Sequence, residues 1–277
     1  YYRPLFEGDT VHATKEPFAL DERTGKWAGR SFMQTDNIRF YNQRDELVAM
    51  QIMSAVRAER EAGKSAGKYA SIPKAVYTDE EIDQIDREIA AEEVRGNTPR
   101  YWEDVNVGDE IDVITKGPLG LTDFIAFIAA GAAPIPRISA HSVALKRYRK
   151  HPAWAFRDPK THALEPVYSV HYNDYAAALQ GAQIAYDVGI QRTSWQIHSL
   201  TNWMGDAGFL KASTSQYRAH VYLSDVVRLG GRVEAKEIDA DGDHVVRLTT
   251  WATNQRGQNA MPGTAVIVLP TRKAEAK

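Results

Sequence analysis

Apolar and polar positions alternate at the two ends of the chain and follow helical spacing in its middle. Residues 2–11 read as a strand, a small residue with an Asp, and a second strand, and Leu47 to Arg57 alternates as a further strand. Glu59 to Ala75 is rich in Ala, Gly and Lys and reads as a soft connection. Thr78 then precedes Asp79, Glu80 and Glu81 as an N-cap precedes an acidic first turn, and Ile82, Ile85 and Ile89 follow on a helix to Arg95 with a solvated acidic face. Val107-Gly108-Asp109 suggests a turn into a strand. Thr122 and Asp123 cap an apolar segment from Phe124 to Ala130 that stops at Gly131, and Ser139 to Lys150 reads as a basic helix stopped at His151-Pro152. His171 to Gln180 is an Ala-rich helix start. Ile190 to Met204 reads as one long helix carrying Trp195, Ile197, Leu200, Trp203 and Met204 and ending at Gly205. Only strands follow, over 214–223, 226–237, 244–254 and 262–269. Short helices, one long helix and an antiparallel run make an α+β fold.

The chain also repeats itself. The stretch from Tyr2 to Val11 has a partner from Tyr217 to Val227, with Asp9 matching Asp225. Asn42-Gln43-Arg44 matches Asn254-Gln255-Arg256, each triplet between two alternating runs where a hairpin turn belongs. The second copy has a long stretch before its landmarks, beginning near Tyr101, and the first has none. The opening Tyr1-Tyr2-Arg3-Pro4-Leu5 carries no Met and no signal segment, and reads as the interior of a longer polypeptide.

Composition narrows the function class. The chain has 277 residues, of which 43% are hydrophobic and 25% charged, enough to bury a sizeable core. Lys and Arg number 34 against 36 Asp and Glu, a net charge of −2 that gives no pull on nucleic acid or anionic lipid. No apolar run reaches the roughly 20 residues that cross a bilayer. Cysteine is absent, which removes disulfides and thiolate chemistry and makes a reducing cytoplasm the expected compartment. No glycine-rich nucleotide fingerprint occurs, and no two histidines stand at the spacing of a helical metal site, so no metal is expected.

Several stretches then fall in a familiar order: Val107-Gly108-Asp109, Gly117-Pro118-Leu119-Gly120-Leu121-Thr122-Asp123, and His171-Tyr172-Asn173-Asp174 with Ala176 and Gly181. Ala185-Tyr186-Asp187-Val188-Gly189, Asn254-Gln255-Arg256-Gly257 and Pro262-Gly263-Thr264-Ala265 follow. This order resembles the MaoC-type acyl dehydratases and enoyl-CoA hydratases, in the branch with two hotdog units per chain. The resemblance implies a long central helix wrapped by an antiparallel sheet, with tandem units of which the first lacks its front half. On that basis residues 1–57 are the back half of a first unit and 58–100 a linker with an acidic helix. Residues 101–270 are a second, complete unit, and 271–277 a charged tail.

The family motif pairs an Asp with a His, which hold a water and serve as acid and base, while a later Gly gives its amide to the thioester oxygen. His171 and Gly189 match the His and the Gly. The motif Asp has no counterpart, since Gly131 is followed by Ala132, Ala133 and Pro134. Imidazole suits the proton work because its ordinary pKa lies near 6.5, and an amide at a helix N-terminus suits a developing oxyanion. His171 reads as that base or as a buried polar residue at a strand-to-helix junction. Asp174 orients His171 or supplies an N-terminal helix charge. Asp187 supplies the missing carboxylate or caps the long helix. His198, beside Trp195 and Asn202, reads as a core-facing, hydrogen-bonded histidine. The basic cluster of Arg137, Lys146, Arg147, Arg149, Lys150 and His151 meets CoA phosphates, with Arg147 and Lys150 as the contacts, or is a solvated face.

The reaction these features imply is reversible addition or elimination of water at the β-carbon of an acyl-CoA, with the thioester as substrate and no cofactor. A non-catalytic hotdog subunit that shapes the acyl pocket for a catalytic partner is the alternative, and a thioesterase on the same fold is a third reading. The expected assembly is a homo- or hetero-oligomer that supplies the missing half of the first unit.

Overall fold

The computed structural model describes residues 1–25, 29–58, 72–132 and 141–272. The chain forms two compact units, Tyr1–Ala70 and Ser71–Lys277. The first unit is an antiparallel sheet of three strands in the order β1 (His12–Gly25), β2 (Gly29–Tyr41) and β3 (Leu47–Ala58), and no helix occurs among its described residues. Between β2 and β3 the chain turns on Asn42, whose Oδ1 accepts the N–H groups of Arg44 and Glu46. Asp45 closes that turn with a φ of 58°.

The second unit holds α1 (Asp79–Ala90), β4 (Ile114–Lys116), α2 (Leu121–Phe127), α3 (His141–Lys150), β5 (Ala155–Arg157), β6 (Leu164–Pro166), α4 (Asp174–Ala178) and α5 (Gly189–Met204). Four strands follow: β7 (Phe209–Ser215), β8 (Val227–Ile238), β9 (His244–Asn254) and β10 (Gly263–Val268). Its main sheet runs β4-β8-β9-β10-β7, antiparallel throughout. The alternation in β9 puts Val246, Leu248 and Ala252 on the buried face, because successive residues of a strand point to opposite sides. α5 lies on that face. Leu200, Trp203 and Met204 pack there with Val233, Val246, Leu248 and Ile267, and Trp195 meets Leu229, Ala252 and Met261. Gly205, at a φ of 70°, ends the helix where a side chain would be strained. A long helix on an antiparallel sheet is the α+β hotdog arrangement.

The repeat is built the same way twice. The N–H groups of Arg256 and Gln258 bond to Asn254 Oδ1 as those of Arg44 and Glu46 bond to Asn42 Oδ1. Gln255 Nε2 reaches Asp225 Oδ1 at 2.7 Å, and Gln43 Nε2 reaches Asp9 Oδ1 at 2.8 Å. Each Asp accepts the N–H of the residue three before it, Tyr222 or Phe6.

Four expectations need correction. Residues 2–11, read as two strands, form none, and the first strand starts at His12. The acidic helix α1 keeps the solvated face expected of it, with Asp79, Glu80, Glu81, Asp83 and Asp86 exposed, but it ends at Ala90 rather than Arg95 and belongs to the second unit: Ile85 is buried, Glu88 takes a two-point contact from Arg228, and beyond the helix Glu92 pairs with Lys116. The strand expected over 214–223 ends at Ser215. The alternation beyond it reflects packing of another kind, with Leu223 N–H bonded to the Ala185 carbonyl and Arg218 N–H to the Ala260 carbonyl. The apolar segment after Thr122 starts at Leu121 on a Gly120 N-cap, with Asp123 Oδ2 accepting the Gly120 N–H. Arg137 and residues 139–140 of the expected basic helix lie outside the described residues, as do 59–71 and 273–277. Arg272 of the expected tail pairs with Asp104. No helix among the described residues is long and apolar enough to cross a membrane.

Candidate active site

A 3-10 turn from Val167 to His171 brings His171 to the start of α4. Asn173 caps that helix, accepting the N–H groups of Tyr175 and Ala176, and so fixes where the chain leaves the turn. The His171 ring meets Tyr168 and Tyr186 edge-on, at centroid distances of 4.7 and 5.3 Å. Its Nδ1 lies 2.8 Å from the Tyr186 carbonyl oxygen. A carbonyl only accepts, so Nδ1 carries the proton and Nε2 keeps its lone pair. Burial pushes the pKa of His171 below its ordinary value, against the smaller opposing effects of the Tyr186 carbonyl and the Asp187 carboxylate. The residue is therefore a neutral base at neutral pH.

Gly189 opens α5, and its N–H makes no hydrogen bond among the described residues, as expected of the first amides of a helix. The Tyr217 ring covers its Cα: a Cβ built at Gly189 would lie 3.2 Å from two ring carbons. Tyr217 is held by its hydroxyl against Thr193 Oγ1. Tyr186, which anchors His171, lies three residues before Gly189, so the two backbone groups are separated by at most about 11 Å of extended chain. Val188, between them, packs with Ile128, Phe127, Tyr168 and Tyr172, of which Tyr168 is the ring that meets His171.

Neither candidate carboxylate reaches the imidazole, and Asp174 takes its other expected role, an acidic charge in the first turn of α4. Asp174 does not touch His171; its Oδ1 accepts the Ala185 N–H at 2.9 Å and its Oδ2 pairs with Lys74 at 2.8 Å. Asp187 neither caps α5 nor stands free, because Val188 is the cap residue. Its side chain is 1% exposed and forms a two-point ion pair with Arg192, at 2.8 and 2.6 Å. His198 is hydrogen-bonded as expected, to Asn202 and beside Glu92 at 2.8 Å, but it is 38% exposed rather than core-facing.

Arg147 and Lys150 are exposed on α3, where only Ala144 and Tyr148 are buried, and they make no ion pair among the described residues. Asp239, Asp241 and Asp243 converge closely enough for a cation, and the Lys211 ammonium lies among them at 2.6, 2.6 and 2.9 Å. Sequence reasoning missed Arg192, Tyr186 and Tyr217. An Arg on a helix reads by default as a solvated charge, and a backbone carbonyl leaves no signal in the sequence.

No protein-family model and no curated protein matches the sequence. Solved structures do match it. A MaoC-like dehydratase aligns over 98% of this chain and 72% of its own, with a TM-score of 0.61 at 17% identity. A MaoC domain protein from Chloroflexus aurantiacus J-10-fl aligns over 97% and 72%, with a TM-score of 0.54 at 16% identity. The (R)-hydratase from A. caviae involved in PHA biosynthesis aligns over 61% of this chain and 99% of its own, with a TM-score of 0.42 at 19% identity. The chain has the hotdog fold of the MaoC-like dehydratases.

Proposed function

We propose that the chain acts on an acyl-CoA thioester, adding or removing water at the β-carbon, with His171 as the proton carrier and the Gly189 amide as the donor to the thioester oxygen. The observation that carries this reading is His171 itself: a half-buried imidazole, neutral at neutral pH, with Nδ1 fixed and its ring against those of Tyr168 and Tyr186. In the eliminating direction Nε2 takes the proton from the α-carbon, and the negative charge gathering on the thioester oxygen is met by the N–H at the start of α5. The imidazolium then returns that proton to the β-hydroxyl, the β-carbon–oxygen bond breaks, water leaves and the α–β double bond forms. One group serves as base and then acid, as it must where both Asp174 and Asp187 are held by other partners.

That same occupation of both carboxylates favours a second reading, a non-catalytic subunit that shapes the acyl pocket for a catalytic partner. Incubation with an enoyl-CoA distinguishes them: hydration by the isolated chain supports the first, and no turnover until a partner chain is added supports the second. Release of free CoA from a saturated acyl-CoA instead would make it a thioesterase.

If CoA phosphates meet α3, the double reversal Arg147→Glu with Lys150→Glu weakens binding of CoA, and added salt weakens wild-type binding likewise, because exposed charge contacts are screened over about 8–10 Å at physiological ionic strength. Calorimetric titration with CoA checks this. Equal affinity of variant and wild type, at low and high salt, returns α3 to a solvated face.

A further inference from the structure

The ion pair at the start of α5 is buried on both sides, with side-chain exposures of 2% for Arg192 and 1% for Asp187. Arg192 Nε and Nη2 donate to the two carboxylate oxygens, and Nη1 donates to the carbonyls of Ala219 and Ala260, each at 2.9 Å. One guanidinium thus ties together Asp187, two residues before α5, the irregular segment after β7 and the chain between β9 and β10. Asp187 is further held by Val221, whose carbonyl accepts the Asp187 N–H at 2.8 Å and whose own N–H reaches Asp187 Oδ1 at 3.3 Å. Stability alone is a poor account of such a pair, since apolar residues of like volume commonly serve as well. Its place in the chain is more telling. The preceding residue, Tyr186, offers the carbonyl that holds His171 Nδ1, and two residues on is the open N–H of Gly189.

We propose that Asp187 and Arg192 are positioning residues: their pair fixes the Tyr186–Gly189 segment, so that one end holds the His171 ring in a single tautomer while the other presents the Gly189 amide. This rests on the reading of His171 as the proton carrier and names what holds it. Arg192 also balances the Asp187 charge beside the imidazole. The other groups around His171 among the described residues are the rings of Tyr168 and Tyr186, the latter stacked on His220, which in turn meets Tyr222; Asp174 is turned to Lys74.

The test is the titration of His171 by NMR in the free protein, with no substrate present. Failure of the proposed reaction is read from turnover, so the two ideas stand or fall separately. Arg192→Gln leaves Asp187 uncompensated and raises the His171 pKa, whereas Asp187→Asn leaves Arg192 uncompensated and lowers it, each by about half a unit or more. Arg192→Lys keeps the wild-type value. Shifts of one sign in both neutralising variants, or none in either, overturn the proposal. If the single variants do not fold, the double variant Asp187→Asn with Arg192→Met removes both charges together. The proposal then expects the ring 15N shifts of His171 to show mixed tautomers, and a ring still held entirely as Nδ1–H overturns it.

Discussion

His171→Ala is expected to lower enoyl-CoA hydration by about 100-fold or more, the range for loss of a positioned acid–base, while the folded structure persists. The ring contributes one hydrogen bond and two edge contacts at a 3-10 turn, and Asn173, not His171, caps the helix that follows. Steady-state rates with circular dichroism on the same samples check both halves. A variant that unfolds assigns His171 to structure, and one that folds and keeps its rate removes it from the chemistry. The pH dependence carries a sign as well. Because burial depresses the folded pKa below the ordinary value near 6.5, the active neutral form persists into mildly acidic solution, and the rate falls only below that depressed pKa. The unfolded chain binds the proton more readily than the folded one. Stability from this group is therefore present above pH about 6.5 and lost as pH falls below it. The Ala variant lacks that loss, so its stability declines less on acidification than that of wild type.

The second large effect is expected at Asp225. Its side chain is 1% exposed and accepts two contacts from Arg256, at 2.7 and 2.6 Å, with further bonds from Gln255 Nε2 and the Tyr222 N–H. Asp225→Ala leaves all of these donors without their acceptor. Breaking a buried pair costs about 3–5 kcal/mol, and since Arg256 is partly exposed we expect about 2–4 kcal/mol. Asp9→Ala, at the matching place in the first unit, is expected to cost far less, because among the described residues Asp9 accepts hydrogen bonds from Gln43 and the Phe6 N–H but forms no ion pair, and Arg44 pairs with Glu46 instead. Denaturant unfolding followed by tryptophan fluorescence compares them. Equal losses in the two variants would mean that the ion pair at Asp225 adds nothing to the shared turn.

The resemblance of the two turns was legible because it depends on local chemistry. An Asn whose side chain accepts two amides just beyond itself is written in the few residues around it, as Asn42 and Asn254 show. The extent of α5 was legible for a like reason: apolar residues at helical spacing stop at a glycine, and the structure runs from Gly189 to Met204. His171 and Gly189 could be picked out by type and order. Their surroundings could not, since the partner of His171 is a backbone carbonyl and the cover over Gly189 is Tyr217, far along the chain.

The sequence by itself determined the α+β class, the long helix and its stop, the paired hairpin turns and the candidate imidazole. Each rests on residue chemistry acting within a turn or two of the chain. Only the tertiary structure decided which charges are spent. It sends Asp174 to Lys74, locks Asp187 onto a buried Arg192, brings Glu92 to His198 and Lys116, and sets Lys211 among three aspartates. The physical reason is that an ion pair depends on distance and burial, and both are fixed by how the helices meet the sheet.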